Sequence, residues 1–393
     1  MSGQKTKVAE QAPWAWGLPA TPPRATAACA ASPWTPRVPA DIAQAGWRAG
    51  APRGRAPART LGHVIFAVPE LVEQLVRFVA AGSEQAGAPR ALHHCLLVNR
   101  LWYAVTLAVL RERLYFADAR RLRQFAAAAH RGRLAPELVV LHKLTRLEQR
   151  DLDRMLQHVC PERLRRLELY VCPRVLPPAS YLGRANGLRR LALPGNKLVS
   201  DDFLIQACAH LPRLQVLDLR ACDRVSDAGV VAVATNCPRL HTVNLGRHRN
   251  GHLITSVSVV ALARHVQLET LGVAGCYIND AGLWELAAVC GPSLARLSLN
   301  NCRYLTNRSV PALLALNAFP NLSVLELRNI PHLTDVRAVV RYKQWKQSRG
   351  LPVLVEGCDR LTQLFRCEER KLYKENSVST VQELASWLHG DED

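Results

Sequence analysis

The sequence predicts an α/β solenoid, a horseshoe of strand–turn–helix units that follows a small all-helical domain and an unstructured tail; three observations predict the solenoid. The first is a frame, L-x-x-L-x-L-x-x-(C/N). Leu164, Leu167, Leu169 and Cys172 fill it, then Leu188, Leu191, Leu193 and Asn196, then Leu214, Leu217, Leu219 and Cys222. Leu240, Val243, Leu245 and His248 follow, and then Leu268, Leu271, Val273 and Cys276. Leu294, Leu297, Leu299 and Cys302, and finally Leu322, Leu325, Leu327 and Ile330, complete the clear copies. The second observation is spacing: successive starts differ by 24, 26, 26, 28, 26 and 28 residues. The third is the stretch after the strand, where Val225-Ser226-Asp227-Ala228-Gly229, Ile278-Asn279-Asp280-Ala281-Gly282 and Leu305-Thr306-Asn307-Arg308-Ser309 are alike. A period and frame of this kind define a leucine-rich repeat of the long, cysteine-containing type.

Each element follows from the frame. Positions 1, 4 and 6 point inward from a short parallel strand and the turn before it. One unit cannot bury its apolar face alone, so stability resides in the interfaces between neighbours. The small polar residue at position 9 sits where the chain leaves the strand and can satisfy backbone groups of the turn, so Asn196 can stand where Cys222 stands. Ser226 and Asp280 are the expected N-caps of helices over 230–237 and 283–290, with a third over 310–316. A degenerate first turn starts at Leu138, with Leu141 and Leu144, 26 residues before Leu164. At the other end Val353, Val355 and Cys358 fall in frame from Gly350, and Cys358-Asp359-Arg360-Leu361-Thr362 echoes Cys222-Asp223-Arg224-Val225-Ser226. The array is therefore placed at 134–370, degenerate end repeats included. Residues 371–393 read as a capping helix over 378–389, with Thr380 as its cap, and an acidic end.

At 393 residues there is room for two or three domains. No apolar run approaches a membrane span, and the N-terminus lacks the apolar stretch of a secretory signal, so neither membrane insertion nor export is expected. The 12 cysteines fall mostly on repeat positions and no C-x-x-C pair exists. They read as structural free thiols in a reducing compartment, so no metal and no cofactor is expected and the location is cytoplasmic and nuclear. The net charge of +19 is spread thinly, through Arg53, Arg55 and Arg59 and then from Arg111 to Arg133. It reads as solvated surface or as attraction to an acidic partner; no nucleic-acid motif appears, and nucleic acid is not an expected ligand. Residues 1–60 hold few large aliphatics and much Ala, Pro, Gly and Arg, a composition that stays disordered. Trp14, Trp16, Trp34 and Trp47 are candidate docking anchors within that tail.

Residues 61–133 differ in character. Pro69 opens a helical pattern running through Leu71, Leu75 and Phe78; a loop is expected over Gly82 to Pro89, and a second helical stretch from His94 toward Phe116. This segment resembles an F-box, whose pattern is Leu-Pro-x-Glu-(Leu/Ile), an apolar helix, then Leu-x-x-Val-(Cys/Ser)-(Lys/Arg)-x-Trp. Pro69, Glu70 and Leu71 match the opening, Leu75 and Phe78 the helix, and Leu97, Val98, Arg100 and Trp102 the second half. Val68 replaces the usual Leu and Asn99 the usual Cys or Ser. The resemblance implies that Pro69, Glu70, Leu71, Leu75, Phe78, Leu97, Val98 and Trp102 bind a Skp-family adaptor of a cullin ligase core. Without that role, 61–133 is a helical cap on the first repeat.

Within the array, His252-Leu253-Ile254-Thr255-Ser256-Val257-Ser258, Leu271-Gly272-Val273-Ala274-Gly275-Cys276, Asp280-Ala281-Gly282-Leu283-Trp284-Glu285-Leu286 and Arg296-Leu297-Ser298-Leu299-Asn300-Asn301-Cys302 resemble the fungal antagonist of mitotic exit network family. The resemblance covers about 160 to 370. It implies a negative regulator of mitotic exit that binds the small GTPase heading that network, serves as F-box-type substrate receptor of a Skp/cullin/F-box ubiquitin ligase, or both.

Side chains between the inward leucines face out onto the expected concave surface: Arg165, Arg189, Asp218, Asn244, Glu269, Arg296 and Glu326 among them. Arg247, His248 and His252 belong to a glycine-bounded insertion read as a contact loop. Trp284 and Tyr304 are either exposed anchors or core. No catalytic constellation stands out, so a non-catalytic adaptor is expected. The alternatives are a stoichiometric inhibitor with no ligase role and a leucine-rich-repeat protein of the GTPase-activating type.

Overall fold

The computed structural model describes residues 68–86, 90–128 and 134–389. The tail over 1–60, its tryptophans, Arg53, Arg55 and Arg59, and the acidic end lie outside the described residues.

Three helices come first: α1 (Pro69–Ala86), α2 (Arg90–Cys95) and α3 (Arg100–Glu112). Pro69 stands at the first helical position, where its missing N–H costs nothing. Val72, Val76 and Ala80 lie on one side of α1 and pack with Leu92 and Val109, against which Leu101, Trp102 and Val105 lean. The Arg77 guanidinium binds both Glu112 carboxylate oxygens, at 2.7 and 3.0 Å, and so ties α1 to α3. Two expectations change. The chain stays helical through Ala86 instead of looping from Gly82, because alanine and glutamine around that glycine favour helix. The second helical stretch is broken before Arg100: the Asn99 side chain accepts from the Trp102 amide at 2.9 Å, and a capping residue must itself be non-helical.

Among the described residues one parallel sheet of ten strands runs in chain order. Its strands and the helices between them are β1 (Arg113–Phe116), α4 (Ala119–Ala128), β2 (Leu138–His142), α5 (Gln149–Gln157), β3 (Arg166–Tyr170), α6 (Ala179–Leu182), β4 (Arg190–Ala192) and α7 (Asp201–Cys208). Then follow β5 (Val216–Asp218), α8 (Asp227–Asn236), β6 (Thr242–Asn244), α9 (Ser256–His265), β7 (Thr270–Gly272), α10 (Asp280–Cys290), β8 (Arg296–Ser298) and α11 (Val310–Ala315). The last are β9 (Val324–Glu326), α12 (Arg337–Ser348), β10 (Leu354–Glu356) and α13 (Asp359–His389). Among the described residues no helix is long and apolar enough to cross a membrane.

The sheet therefore begins inside the segment expected to be all helical. Leu114 and Phe116 are buried while Arg113 and Tyr115 are exposed, the alternation of a strand with one covered face. The degenerate repeat also shifts. Val139 lies opposite Leu167 and Leu141 opposite Leu169, so the frame starts at Pro136 and not at Leu138. From β3 to β9 position 4 sits on position 4: Leu167, Leu191, Leu217, Val243, Leu271, Leu297 and Leu325 form one continuous row. All are buried in a single core with the inner faces of the helices.

A second row binds the helix starts. Asp201, first residue of α7, accepts from the Ser226 amide and hydroxyl; Asp227 does the same for Thr255, and Asp280 for Thr306 at 2.9 and 2.6 Å. Ser256 with Asn279, and Asn307 with Thr334, continue it. Ser226 caps α8 as expected. Asp280 does not cap α10; Asn279 accepts from the Gly282 amide, and the Asp280 carboxylate reaches to the next repeat.

The C-terminal expectation is also corrected. No Gly or Pro interrupts 359–389, and the whole stretch is one helix, in which the Thr380 hydroxyl donates to Asn376 O within the helix. Its first half does the sealing, with Leu361 and Leu372 buried, whereas Val378, Val381, Leu384 and Leu388 are exposed.

Partial burial opposes ionisation of Asp280, but hydrogen bonds from Ser309 and Thr306 hold its carboxyl below the ordinary 3.8. A depressed carboxyl stabilises the fold at pH above the unfolded value and loses that contribution as pH falls through the folded one. Asp280→Asn is expected to be less stable than the parent at pH 7, the gap closing below about pH 4. Urea midpoints measured from pH 7 down to 3 check this; a gap constant with pH would refute it.

Candidate protein-interaction surfaces

The apolar side chains of the helical unit divide into two sets. Val72 and Val76 are used inside it; Leu71, Leu75 and Phe78, at helical spacing on another side of α1, remain exposed, Phe78 to 79%. Leu97 and Val98, in the turn before α3, are exposed as well. Pro69 and Glu70 are exposed at the start of α1. Of the residues assigned to adaptor binding only Trp102 is turned partly into the unit's own core. Asn99, which departs from the F-box pattern, is accounted for as the α3 cap.

The sheet's free face differs from expectation. Its position-5 residues were expected to meet a partner, yet Asp218, Asn244 and Glu326 are buried. Asp218 is held by Arg220 at 2.6 Å. Asn244 accepts from the Gly246 amide, and its carboxamide lies over Gly272, where a Cβ would come within 2.8 Å of it. Glu326 accepts from Ser298 and Asn300, each at 2.8 Å. Burial raises the Glu326 carboxyl above its ordinary value. These side chains bond the repeats to themselves because close strands shield whatever stands between two rows of leucines. Arg165 is half-buried, donating to Gly187 O at 3.3 Å, and Arg296 is half-buried; Arg189 and Glu269 are exposed, Glu269 3.6 Å from His241.

Arg247 is the largest correction. Elsewhere position 8 takes a left-handed turn, as at Lys143, Val171, Gly195, Ala221, Gly275, Asn301 and Asn329, and position 9 then turns inward. There the thiols of Cys172, Cys222, Cys276 and Cys302 donate to position-6 carbonyls of the preceding repeat, Leu141, Leu193, Leu245 and Val273. Burial pushes the Cys222 and Cys276 thiols up to about 12. In the fourth copy the insertion moves the left-handed turn to Asn250, and Arg247, 3% exposed, turns inward itself. Its guanidinium donates to Val225 O at 2.8 Å, as Asn196 does to Val175 O at 2.7 Å and Arg360 to Leu333 O at 3.2 Å. Arg247 is thus a structural donor and no contact residue. His248 and His252 are exposed, His252 edge-on to Tyr277, which in turn meets Tyr304 at 4.8 Å. Trp284 is partly exposed and donates to Arg308 O at 3.0 Å.

Sequence reasoning missed a row of rings. Tyr115, His142 and Tyr170 stand on β1, β2 and β3 with centroids 6.4 and 6.3 Å apart. Burial lowers the His142 imidazole's affinity for a proton and raises the Tyr170 hydroxyl. Finding the row needed β1 and the shifted frame of β2.

No family model matches the chain. It is 90% identical over 393 residues, the full length of both, to antagonist of mitotic exit network protein 1 of Eremothecium gossypii. It is 42% identical over 340 residues to the protein of that name in Candida glabrata, covering 83% of this chain and 66% of the relative. For that of Saccharomyces cerevisiae the figures are 45% over 305 residues, 77% and 55%. Among solved structures, an internalin from Listeria monocytogenes aligns with a TM-score of 0.40 at 16% identity, over 64% of this chain and 69% of that one. The Rad7 and Elc1 complex of yeast aligns with a TM-score of 0.40 at 16% identity, over 56% and 62%.

Arg247→Ala is expected to destabilise the chain by about 2 to 4 kcal/mol, through an unpaired carbonyl and a cavity. Arg249→Ala, on the exposed side of the same loop, is expected to change stability by less than about 0.5 kcal/mol. Chemical unfolding of both variants checks the pair; equal effects would return Arg247 to the contact surface.

Proposed function

Because the chain belongs to the antagonist of mitotic exit network protein family, we propose that it is a negative regulator of mitotic exit acting by binding alone. In this reading the helical unit α1–α3 holds a Skp-family adaptor and, through it, a cullin ligase core. The repeat array holds the second partner, a ubiquitination substrate or the small GTPase of the network. No chemistry is required of the chain: tethering raises the local concentration of a substrate lysine at the ligating enzyme.

One observation carries the reading. The exposed apolar row Leu71, Leu75 and Phe78 sits on a helix whose opposite side already fills its own core, and Leu97 and Val98 expose more apolar surface in the same unit. Such a surface is costly in water and is of the kind that partner chains cover, which supports the reading.

Purified Skp-family adaptor is expected to bind the intact chain and to lose at least about tenfold in affinity to a Leu75→Asp/Phe78→Asp variant. Both residues are exposed, so the melting temperature should hold; Trp102, part of the unit's core, is the wrong residue to truncate. Isothermal calorimetry reads the outcome. An intact chain that fails to bind adaptor leaves α1–α3 as a cap and the array as an inhibitor by occupancy.

A further inference from the structure

The free face of the sheet is chemically lopsided. Within β1–β5 the carboxylates are Glu168 and Asp218, and both are buried. Glu168 is held by Arg166 and Arg190, each at 3.0 Å, and Asp218 by Arg220. Arg189, the residue just before β4, is exposed and is paired with no carboxylate among the described residues. Guanidinium groups thus exceed carboxylates at this end, and every acid that could quench them is already engaged. Adjoining them is the ring row Tyr115, His142 and Tyr170, of which Tyr115 is 59% exposed. At the far end Glu326 on β9 and Glu356 on β10 are matched by two arginines, Arg296 beside Glu326 and Arg328, which holds Glu356 at 2.8 Å.

We propose that the free face of β1–β4 is the docking site for an acidic, extended segment of a protein partner, its carboxylates on Arg189 and Arg166 and an apolar or aromatic side chain on Tyr115. This deepens the adaptor reading, on which it rests, by giving the chemistry of what the array holds. The four strands span about 15 Å at ordinary strand spacing, the reach of about four or five extended residues. Complementary charge sets both the register and the orientation of such a segment, since the opposite end of the sheet has no arginine in excess of its carboxylates. The rings favour peptide over nucleic acid. They stand against one another, Tyr115 stacked on His142 and His142 edge-on to Tyr170, so the gaps between them are closed to intercalating bases.

The test uses the full chain and a fluorescein-labelled peptide of about twelve residues, alternating glutamate and serine with a central tyrosine, read by fluorescence anisotropy. It is expected to bind, and to weaken at least about tenfold with Arg189→Glu and several-fold with Tyr115→Ala. Arg328→Ala, at the distal end, should leave affinity unchanged, and the same peptide with lysine for glutamate should not bind. Failure of the acidic peptide to bind the intact chain, equal loss in Arg328→Ala, or tighter binding by a competing polyuridine oligonucleotide would overturn the proposal. Skp-family adaptor binding, measured alongside in each variant, is expected to stay intact. Its absence from the parent chain sinks the ligase reading, while peptide results with adaptor binding present judge the docking site.

Discussion

Everything in the array depends on the register of neighbouring strands. Each strand is three to five residues long from β2 onward, too short to bury an apolar face by itself. Stability comes from laying position 4 of one repeat on position 4 of the next, which makes a row of leucines and valines fully shielded by the helix layer. A slip of one residue would turn that row to solvent. The repeats therefore tolerate wide variation at other positions, provided the turns deliver every strand at the same height.

Two polar devices hold that height. At the strand exits a buried donor, at position 9 or, in the fourth copy, Arg247 at position 8, reaches a backbone carbonyl of the preceding repeat, and the donor is a thiol, a carboxamide or a guanidinium as the local turn allows. At the helix starts, Asp201, Asp227 and Asp280 each bridge to a hydroxyl residue one repeat on. Both devices spend polar atoms inside the protein because an unpaired carbonyl or amide there would cost about 1 to 3 kcal/mol. The thiols can act as donors here because burial keeps Cys222 and Cys276 protonated. The same cost explains why Asp218, Asn244 and Glu326, polar residues on what should be a binding face, are drawn into the frame.

What is left over is informative. The apolar stripe on α1, and Arg189 with Tyr115 at β1–β4, are the groups the fold itself does not use. They lie on different elements and differ in chemistry, one apolar and one cationic, which is what the proposed holding of two unlike partners requires. The exposed half of α13 is a third such surface, with nothing on it that selects an occupant.

The sequence by itself determined the repeat, its period, the inward rows from Leu164 to Ile330, the role of the position-9 thiols and the apolar residues of α1. These follow from local periodicity, since burial of a side chain in a solenoid is set by its place in a short recurring frame. Tertiary structure alone decided three things. It placed Leu114, Phe116, Val139 and Leu141 in the sheet, because a degenerate repeat is recognised by pairing with a regular neighbour and not by its own letters. It turned Arg247 inward, because moving one left-handed turn to Asn250 exchanged which residue faces the core. It brought Tyr115, His142 and Tyr170 into one row, because residues far apart in sequence become neighbours only once the strands are laid side by side.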